Sequence, residues 1–211
     1  KRALIPVSGA FSERWFNSAE ANGVPADRID LEWGQGFTPE IIDEALSQGD
    51  YDVLTVTYNE TSTGVMNPLE DIAAMVHATY PDTLILVDAV SAMAGAKIMV
   101  DAWGLDVVIS SSQKCFALPP GLSVTAVSER AIERAEQVPN RGFYFDFVRM
   151  LKYYKRNQTP ATPAISLIQA LNQQMDDILD EGLENRWDRH IAMAEAVRAW
   201  VGGKANGGFF V

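Results

Sequence analysis

Two residues of opposite charge follow two apolar segments in the middle of the chain. Residues 83–87 are mainly apolar and lead directly into Asp88, whereas residues 107–110 lead through a short polar segment to Lys114. Both segments have the composition of buried β-strands. In a mainly parallel sheet the carboxyl ends of the strands share one edge, where ligands of α/β proteins bind. The sequence therefore predicts that a carboxylate and an amine act on the same small molecule.

An amine and a carboxylate in this arrangement suit pyridoxal 5'-phosphate. A lysine amine can form a Schiff base with the cofactor, and a carboxylate can keep the pyridine nitrogen protonated so that the ring accepts electrons. Lys114 is the candidate amine and Asp88 the candidate carboxylate. Taken singly, each residue has a simpler interpretation, a solvated loop lysine and a strand-end aspartate that caps a turn. The assignment depends on the neighbouring motifs.

Strand-like and helix-like segments alternate over the first two thirds of the sequence. Strands are predicted at residues 3–7, 28–33, 52–58, 83–87, 107–110 and 122–127, and helices at 11–21, from Thr38-Pro39 onward and at 71–79. Parallel strands need crossover connections, so this alternation predicts a three-layer α/β/α fold with a mainly parallel sheet. Later residues are helical in pattern, with a Thr-Pro-Ala-Thr-Pro break at 159–163.

Composition argues against several classes of partner. The formal net charge of −11 leaves no basic stripe for the phosphates of a nucleic acid or for an anionic membrane. No segment approaches the roughly 20 apolar residues of a membrane span. A single cysteine rules out an intramolecular disulfide, which fits a reducing, cytoplasmic compartment.

Four short segments carry a resemblance to a known family. They are Glu-Thr-Ser-Thr-Gly-Val at 60–65, Val-Asp-Ala-Val-Ser at 87–91, Ser-Gln-Lys at 112–114 and Pro-Pro-Gly at 119–121. In this order and spacing they resemble the class V, fold-type I pyridoxal-phosphate aminotransferases, in particular the alanine–glyoxylate and serine–glyoxylate group. The resemblance implies transamination between a small amino acid of the alanine or serine type and a 2-oxo acid such as glyoxylate or pyruvate.

The resemblance also implies roles for individual residues. Lys114 resembles the Schiff-base lysine and Asp88 the partner of the pyridine nitrogen. Val90 resembles the apolar residue that packs against the cofactor ring, and Thr61 the residue that hydrogen-bonds near its phenolic oxygen. Gln113 resembles a ligand on the phosphate side.

Two later residues imply a second subunit. Thr159 and Thr162 resemble the family segment that reaches the cofactor phosphate of a neighbouring subunit, which implies a homodimer. The alternative is a Pro-rich linker whose threonines cap the helix beginning near Ala164.

Some family features have no counterpart in the sequence. We find neither the N-terminal Gly/Ser-rich phosphate loop with its ring-stacking aromatic residue nor the C-terminal arginine that binds the substrate carboxylate. The resemblance thus implies a chain truncated at both ends. We expect residues 1–182 to form part of the large cofactor-binding domain and residues 183–211 to form a helix leading toward a mostly absent small domain.

Three alternatives stay open to different degrees. The chain could belong to a phosphoserine or 2-aminoethylphosphonate aminotransferase, since Lys114-Cys115 resembles the phosphonate branch, although the Pro-Pro-Gly segment favours the glyoxylate branch. Cysteine desulfurase is less favoured, because that branch has Ser-x-His-Lys where this sequence has Gln113. A non-catalytic interaction module is opposed by the joint presence of Lys114, Asp88 and Thr61.

Overall fold

The computed structural model describes residues 2–202 as a mixed six-stranded sheet covered by helices. The elements are β1 Ala3–Val7, α1 Ala10–Ala21, β2 Ala26–Asp30, α2 Pro39–Leu46, β3 Val53–Thr57, β4 Asn59–Glu60, β5 Val65–Met66, α3 Leu69–Thr79, β6 Leu84–Asp88, β7 Val107–Ser111, β8 Ser123–Val127, α4 Glu129–Glu136, α5 Phe147–Tyr154, α6 Ile165–Glu181 and α7 Leu183–Gly202. The sheet order is β2-β1-β3-β6-β7-β8, and β8 alone among these strands runs antiparallel to its neighbour. This confirms the predicted α/β architecture.

Alternate side chains of β1, an interior strand of the sheet, pack against helices on opposite faces of the sheet. Ile5 and Val7 pack with Trp15 and Phe16 of α1 on one face. Leu4 belongs to the main core on the other face, which α2 and α3 cover. Since successive strand residues point to opposite faces, a strand buried on both sides is apolar at every position. The sheet is therefore the middle of three layers.

The second strand differs from its predicted position. It spans Ala26–Asp30 rather than residues 28–33, because it pairs with the five residues of β1 from Ala3↔Ala26 to Val7↔Asp30. Beyond Asp30 no residue of β1 remains to be paired. The chain then turns at Gly34, whose positive φ of 98° suits glycine.

A small hairpin formed by β4 and β5 is absent from the sequence-based prediction. It closes through a turn in which the Gly64 N–H donates to the Glu60 carbonyl at 2.8 Å, and Gly64 has a φ of 73°. Strands of two residues are too short to give a periodic signal. The hairpin lies directly after β3 and brings Glu60 and Thr61 to the edge of the sheet.

The two predicted segments, 1–182 and 183–211, meet between α6 and α7 at Gly182, whose φ is 81°. Residue 1 and residues 203–211 lie outside the described residues, so the assignment of these segments to two domains stays a prediction. Between residues 2 and 202, none of the helices is both long and apolar enough to cross a membrane.

Candidate active site

Asp88 is the last residue of β6 and lies between two paired strands. Its register partners are Thr57 on β3 and Ile109 on β7. The half-buried carboxylate accepts a hydrogen bond of 2.9 Å from the Val90 N–H. Burial raises the pKa of Asp88, hydrogen bonds from Val90 and Trp15 oppose this rise, and the charge of Glu60 adds to it, so that the pKa stays above its ordinary value. No cation within residues 2–202 forms an ion pair with Asp88, so a protonated ring nitrogen would find an acceptor there.

The turn after β6 touches the β4–β5 hairpin. Val90 is half-buried in this turn, and the next residue, Ser91, lies with its hydroxyl 2.5 Å from that of Thr61. The structure thus brings together two residues of the prediction, Val90 and Thr61. It adds Ser91, which belonged to a recognised motif but had been given no role.

Glu60 anchors the first helix to the hairpin. Its carboxylate is fully buried and accepts five hydrogen bonds: Oε2 from the backbone N–H (2.8 Å) and hydroxyl (2.9 Å) of Ser12, and Oε1 from the hydroxyl (2.7 Å) and N–H (3.1 Å) of Ser62 and from the N–H of Phe11 (3.3 Å). Burial raises the pKa of Glu60, but the bonds from Ser12 and Ser62 outweigh it, so that the pKa lies below its ordinary value. The positive end of the α1 dipole also favours this anion.

Gly9 permits this close approach, because a Cβ there would lie 2.5 Å from Cδ of Glu60 and from Oγ of Ser62. In the sequence, Glu60 stands out only as the first residue of the Glu-Thr-Ser-Thr-Gly-Val segment at 60–65. A usable signal was an acidic residue just before a Ser/Thr/Gly turn at the end of a buried strand.

Lys114 lies in a loop that Ser112 organises. The buried Ser112 hydroxyl donates to the Pro119 carbonyl at 2.7 Å and accepts from the Leu122 N–H at 3.3 Å. The Ala117 N–H closes the turn on the Lys114 carbonyl at 2.8 Å. The loop therefore has a defined backbone even though it carries no regular secondary structure.

The Lys114 side chain is exposed and its amine forms no hydrogen bond or ion pair with residues 2–202. It lines a cavity of about 500 Å³ together with Ser91, Cys115 and Gln174. Gln113 is also exposed. Since Ser91 contacts Thr61, the cavity places Lys114 beside the turn that follows Asp88.

Three buried hydroxyls of the described region have no hydrogen-bond partner, and all belong to this edge of the sheet. They are Thr57 at the end of β3, Ser111 at the end of β7 and Thr63 in the hairpin turn. Buried polar groups normally find partners. An edge rich in unpartnered hydroxyls, with a free amine and an unpaired carboxylate, has the donor and acceptor set to hold a polar aromatic cofactor.

Thr159 and Thr162 lie apart from this group. Both are exposed, and Thr159 lines a different cavity of about 560 Å³ with Tyr154, Gln158 and Pro163. No hydrogen bond of the described residues joins either threonine to Asp88 or Lys114. The helix after them begins at Ile165. Within one chain they are not part of the Asp88–Lys114 edge, and their role in a neighbouring subunit stays a prediction.

The sequence matches the family model for class-V aminotransferases over residues 2–201. The chain belongs to this family. Its class-V relatives include an uncharacterised aminotransferase of Methanocaldococcus jannaschii (42% identical over 201 residues), the L-aspartate–glyoxylate aminotransferase of Paracoccus denitrificans (34% over 203) and the serine–glyoxylate aminotransferase of Arabidopsis thaliana (33% over 205). The alignments cover 94%, 95% and 95% of this chain but 52%, 51% and 51% of the relatives. The chain spans about half the length of the curated relatives it matches.

The fold comparison agrees with this family. The crystal structure of alanine–glyoxylate aminotransferase from Nostoc sp. superposes with a TM-score of 0.87 at 34% identity, covering 92% of this chain and 52% of that chain. The predicted class-V resemblance and the predicted fold, part of the large domain of a fold-type I enzyme, are both confirmed.

Proposed function

We propose that this class-V chain is the cofactor-bearing part of a pyridoxal-phosphate-dependent aminotransferase, with Lys114 as the lysine that carries the cofactor. The observation that supports this most is that a half-buried carboxylate without an ion-pair partner among residues 2–202 and an exposed amine lie at the carboxyl ends of two adjacent strands. A degenerate scaffold would have no reason to keep both groups. The non-catalytic alternative is therefore disfavoured.

The residues present fit the cofactor. Asp88 would accept a hydrogen bond from the protonated ring nitrogen. The positive charge of this nitrogen would lower the pKa of the carboxyl and so oppose the effect of burial, which raises it. Thr61 would hydrogen-bond near the phenolic oxygen, Val90 would pack against the ring and Gln113 would serve the phosphate side. The Lys114 amine would hold the aldehyde carbon. When bound, the cofactor supplies an electron sink that makes the substrate α-proton acidic.

Lys114 has a second task once substrate is bound. With substrate bound, its amine would remove the proton from the substrate α-carbon as general base and return a proton as general acid. The cavity that Lys114 lines would leave the amine room to move from the cofactor to the substrate α-carbon. Asp88, which accepts a hydrogen bond from the Val90 N–H, would keep the ring nitrogen of the bound cofactor protonated.

The proposed substrates are a small amino acid and glyoxylate. The names of the Paracoccus, Arabidopsis and Nostoc proteins share glyoxylate and differ in the amino donor, which is aspartate, serine or alanine. This pattern supports glyoxylate as acceptor more than any one donor. We propose alanine or serine as donor and a homodimer in which Thr159 and Thr162 bind the phosphate of the neighbouring subunit's cofactor.

The test compares Lys114→Ala with a matched control, Lys97→Ala, in the full-length protein. Lys97 is also an exposed lysine, but it lies outside the candidate site. We expect the wild type and the Lys97 variant to absorb as cofactor-bound proteins and to transaminate. The Lys114 variant should lose both the cofactor absorbance and the transamination, while its circular dichroism spectrum stays that of the folded protein. A separate panel of alanine, serine and aspartate as donors, with glyoxylate, pyruvate and 2-oxoglutarate as acceptors, should identify the substrates. Transamination at the wild-type rate by Lys114→Ala would end the assignment.

A further inference from the structure

Arg186, on α7, is a buried charged residue that joins two turns of the candidate site. It is 6% exposed, and its guanidinium donates three short hydrogen bonds. Nε donates to the Ala94 carbonyl at 2.8 Å, Nη2 to the Cys115 carbonyl at 2.7 Å and Nη1 to the Glu181 carboxylate at 2.7 Å. Ala94 belongs to the turn that follows Asp88, and Cys115 to the turn that contains Lys114.

The first turn, residues 89–96, follows Asp88 directly and contains Val90 and Ser91. Ala94 within it has a φ of 68°, a left-handed conformation that an alanine keeps only where its surroundings hold it. The Arg186 bond to the Ala94 carbonyl is one such restraint. α7 therefore supplies one of the contacts that hold this turn, besides the backbone hydrogen bonds within the turn.

The second turn contains Lys114, and Cys115 packs it against the first. The Cys115 thiol lies 3.8 Å from the Ser91 carbonyl, and a Cβ at Gly95 would meet Sγ of Cys115 at 2.5 Å. Only a glycine lets the two turns approach so closely. Arg186 donates one hydrogen bond to each of these two turns.

We propose that Arg186 is a positioning residue that sets where Lys114 lies relative to Asp88. The inference rests on the proposed function, because it concerns the two groups assigned to that chemistry. An arginine suits the task since its planar guanidinium offers five donors in fixed directions, whereas a lysine ammonium cannot hold three acceptors in one plane. The Glu181 carboxylate accepts the third hydrogen bond of the Arg186 guanidinium. Its bonds to Arg189 and Arg186 lower its pKa to about 2, so it stays ionised near neutral pH.

The chain offers a matched control on the same helix. Arg189 also donates to Glu181, at 2.6 and 3.0 Å, but forms no hydrogen bond with either turn. Arg186→Met and Arg189→Met each remove one cation bound to Glu181, through one hydrogen bond in the case of Arg186 and two in the case of Arg189. Arg186→Met alone also removes the two carbonyl bonds that the proposal invokes, and it does so at a buried position, whereas Arg189 is exposed.

The experiment measures steady-state kinetics and hydrogen exchange on both variants of the full-length protein loaded with cofactor. For Arg186→Met we expect kcat to fall on the order of a hundredfold, as for a misplacement of about 1 Å, with a much smaller change in KM. Amide exchange should rise in residues 89–96 and 112–118. Arg189→Met should keep a wild-type kcat and wild-type exchange in both turns. Arg186→Lys, which retains the charge and can bond one carbonyl, should lie between the two and serves if the methionine variant does not fold.

The outcomes separate this inference from the proposed function. A wild-type protein without transaminase activity overturns the proposed function, and the positioning role falls with it. An active wild type whose Arg186→Met or Arg186→Lys variant matches Arg189→Met in kcat refutes the positioning role alone. A variant that is less stable but has unchanged kcat and unchanged exchange in the two turns refutes it as well.

Discussion

Replacing Glu60 by glutamine removes the charge of a fully buried carboxylate and turns one of its oxygens into an NH2 group. If the remaining oxygen takes the Oε1 position, the NH2 group faces the backbone N–H of Ser12, which loses its acceptor. In the other orientation the N–H groups of Phe11 and Ser62 lose theirs. Either way at least one buried donor is unsatisfied, and Gly9 leaves no space for the side chain to rearrange.

The expected loss of stability follows from these bonds. An unsatisfied buried donor costs about 1–3 kcal/mol, and the bonds that remain lose their charge assistance, so we expect the free energy of unfolding to fall by about 3 kcal/mol. The exposed Glu44 provides the control, since its carboxylate forms no hydrogen bond within residues 2–202. Glu44→Gln should change the free energy of unfolding by less than about 0.5 kcal/mol.

Urea denaturation as a function of pH checks both the size and the origin of the effect. The pKa of Glu60 is lowered in the folded state, so its charge stabilises the fold above the ordinary glutamate pKa of about 4.3, and this contribution is lost as the pH falls through the folded value. The difference between wild type and Glu60→Gln should be constant from about pH 7 to 5.5 and shrink below about pH 4. A difference no larger than that of Glu44→Gln, or one that grows on acidification, would refute the reasoning.

Two further predictions concern the proposed cofactor site. Asp88→Asn should raise the activation free energy of the first half-reaction by about 3 kcal/mol, because an amide cannot keep the ring nitrogen charged. The rate is measured as release of the 2-oxo acid in a single turnover, and an unchanged rate would remove Asp88 from this role. A Thr159→Ala/Thr162→Ala double variant should bind the cofactor roughly ten- to a hundredfold more weakly. Heterodimers of this variant with Lys114→Ala, verified by native mass spectrometry, should regain one intact site if the threonines act in trans, and no recovery would refute that arrangement.

Local sequence pattern was sufficient to predict most secondary-structure elements, whereas the candidate chemistry also depended on the four family motifs. The apolar runs before Asp88 and Lys114 predicted two strands that end at one edge of the sheet, and in the structure these strands, β6 and β7, are paired in parallel. Strand and helix periodicity depends on which side chains face the core, and that information is local. The shift of β2 to residues 26–30 shows the limit, because the end of a strand depends on the length of its partner.

The roles of Glu60 and Arg186 could not be read from the sequence. Glu60 bonds to Ser12 across 48 positions, and Arg186 reaches Ala94 and Cys115 across 92 and 71 positions. Neither residue type nor local spacing encodes such a meeting, since it depends on how α1 packs against the sheet and how α7 lies against the turns beside it. The sequence by itself determined the alternation of the main strands and helices and the identity of the candidate amine and carboxylate. Only the tertiary structure decided which buried charges hold their turns in place, because hydrogen-bond partners distant in sequence exist only once the layers have packed.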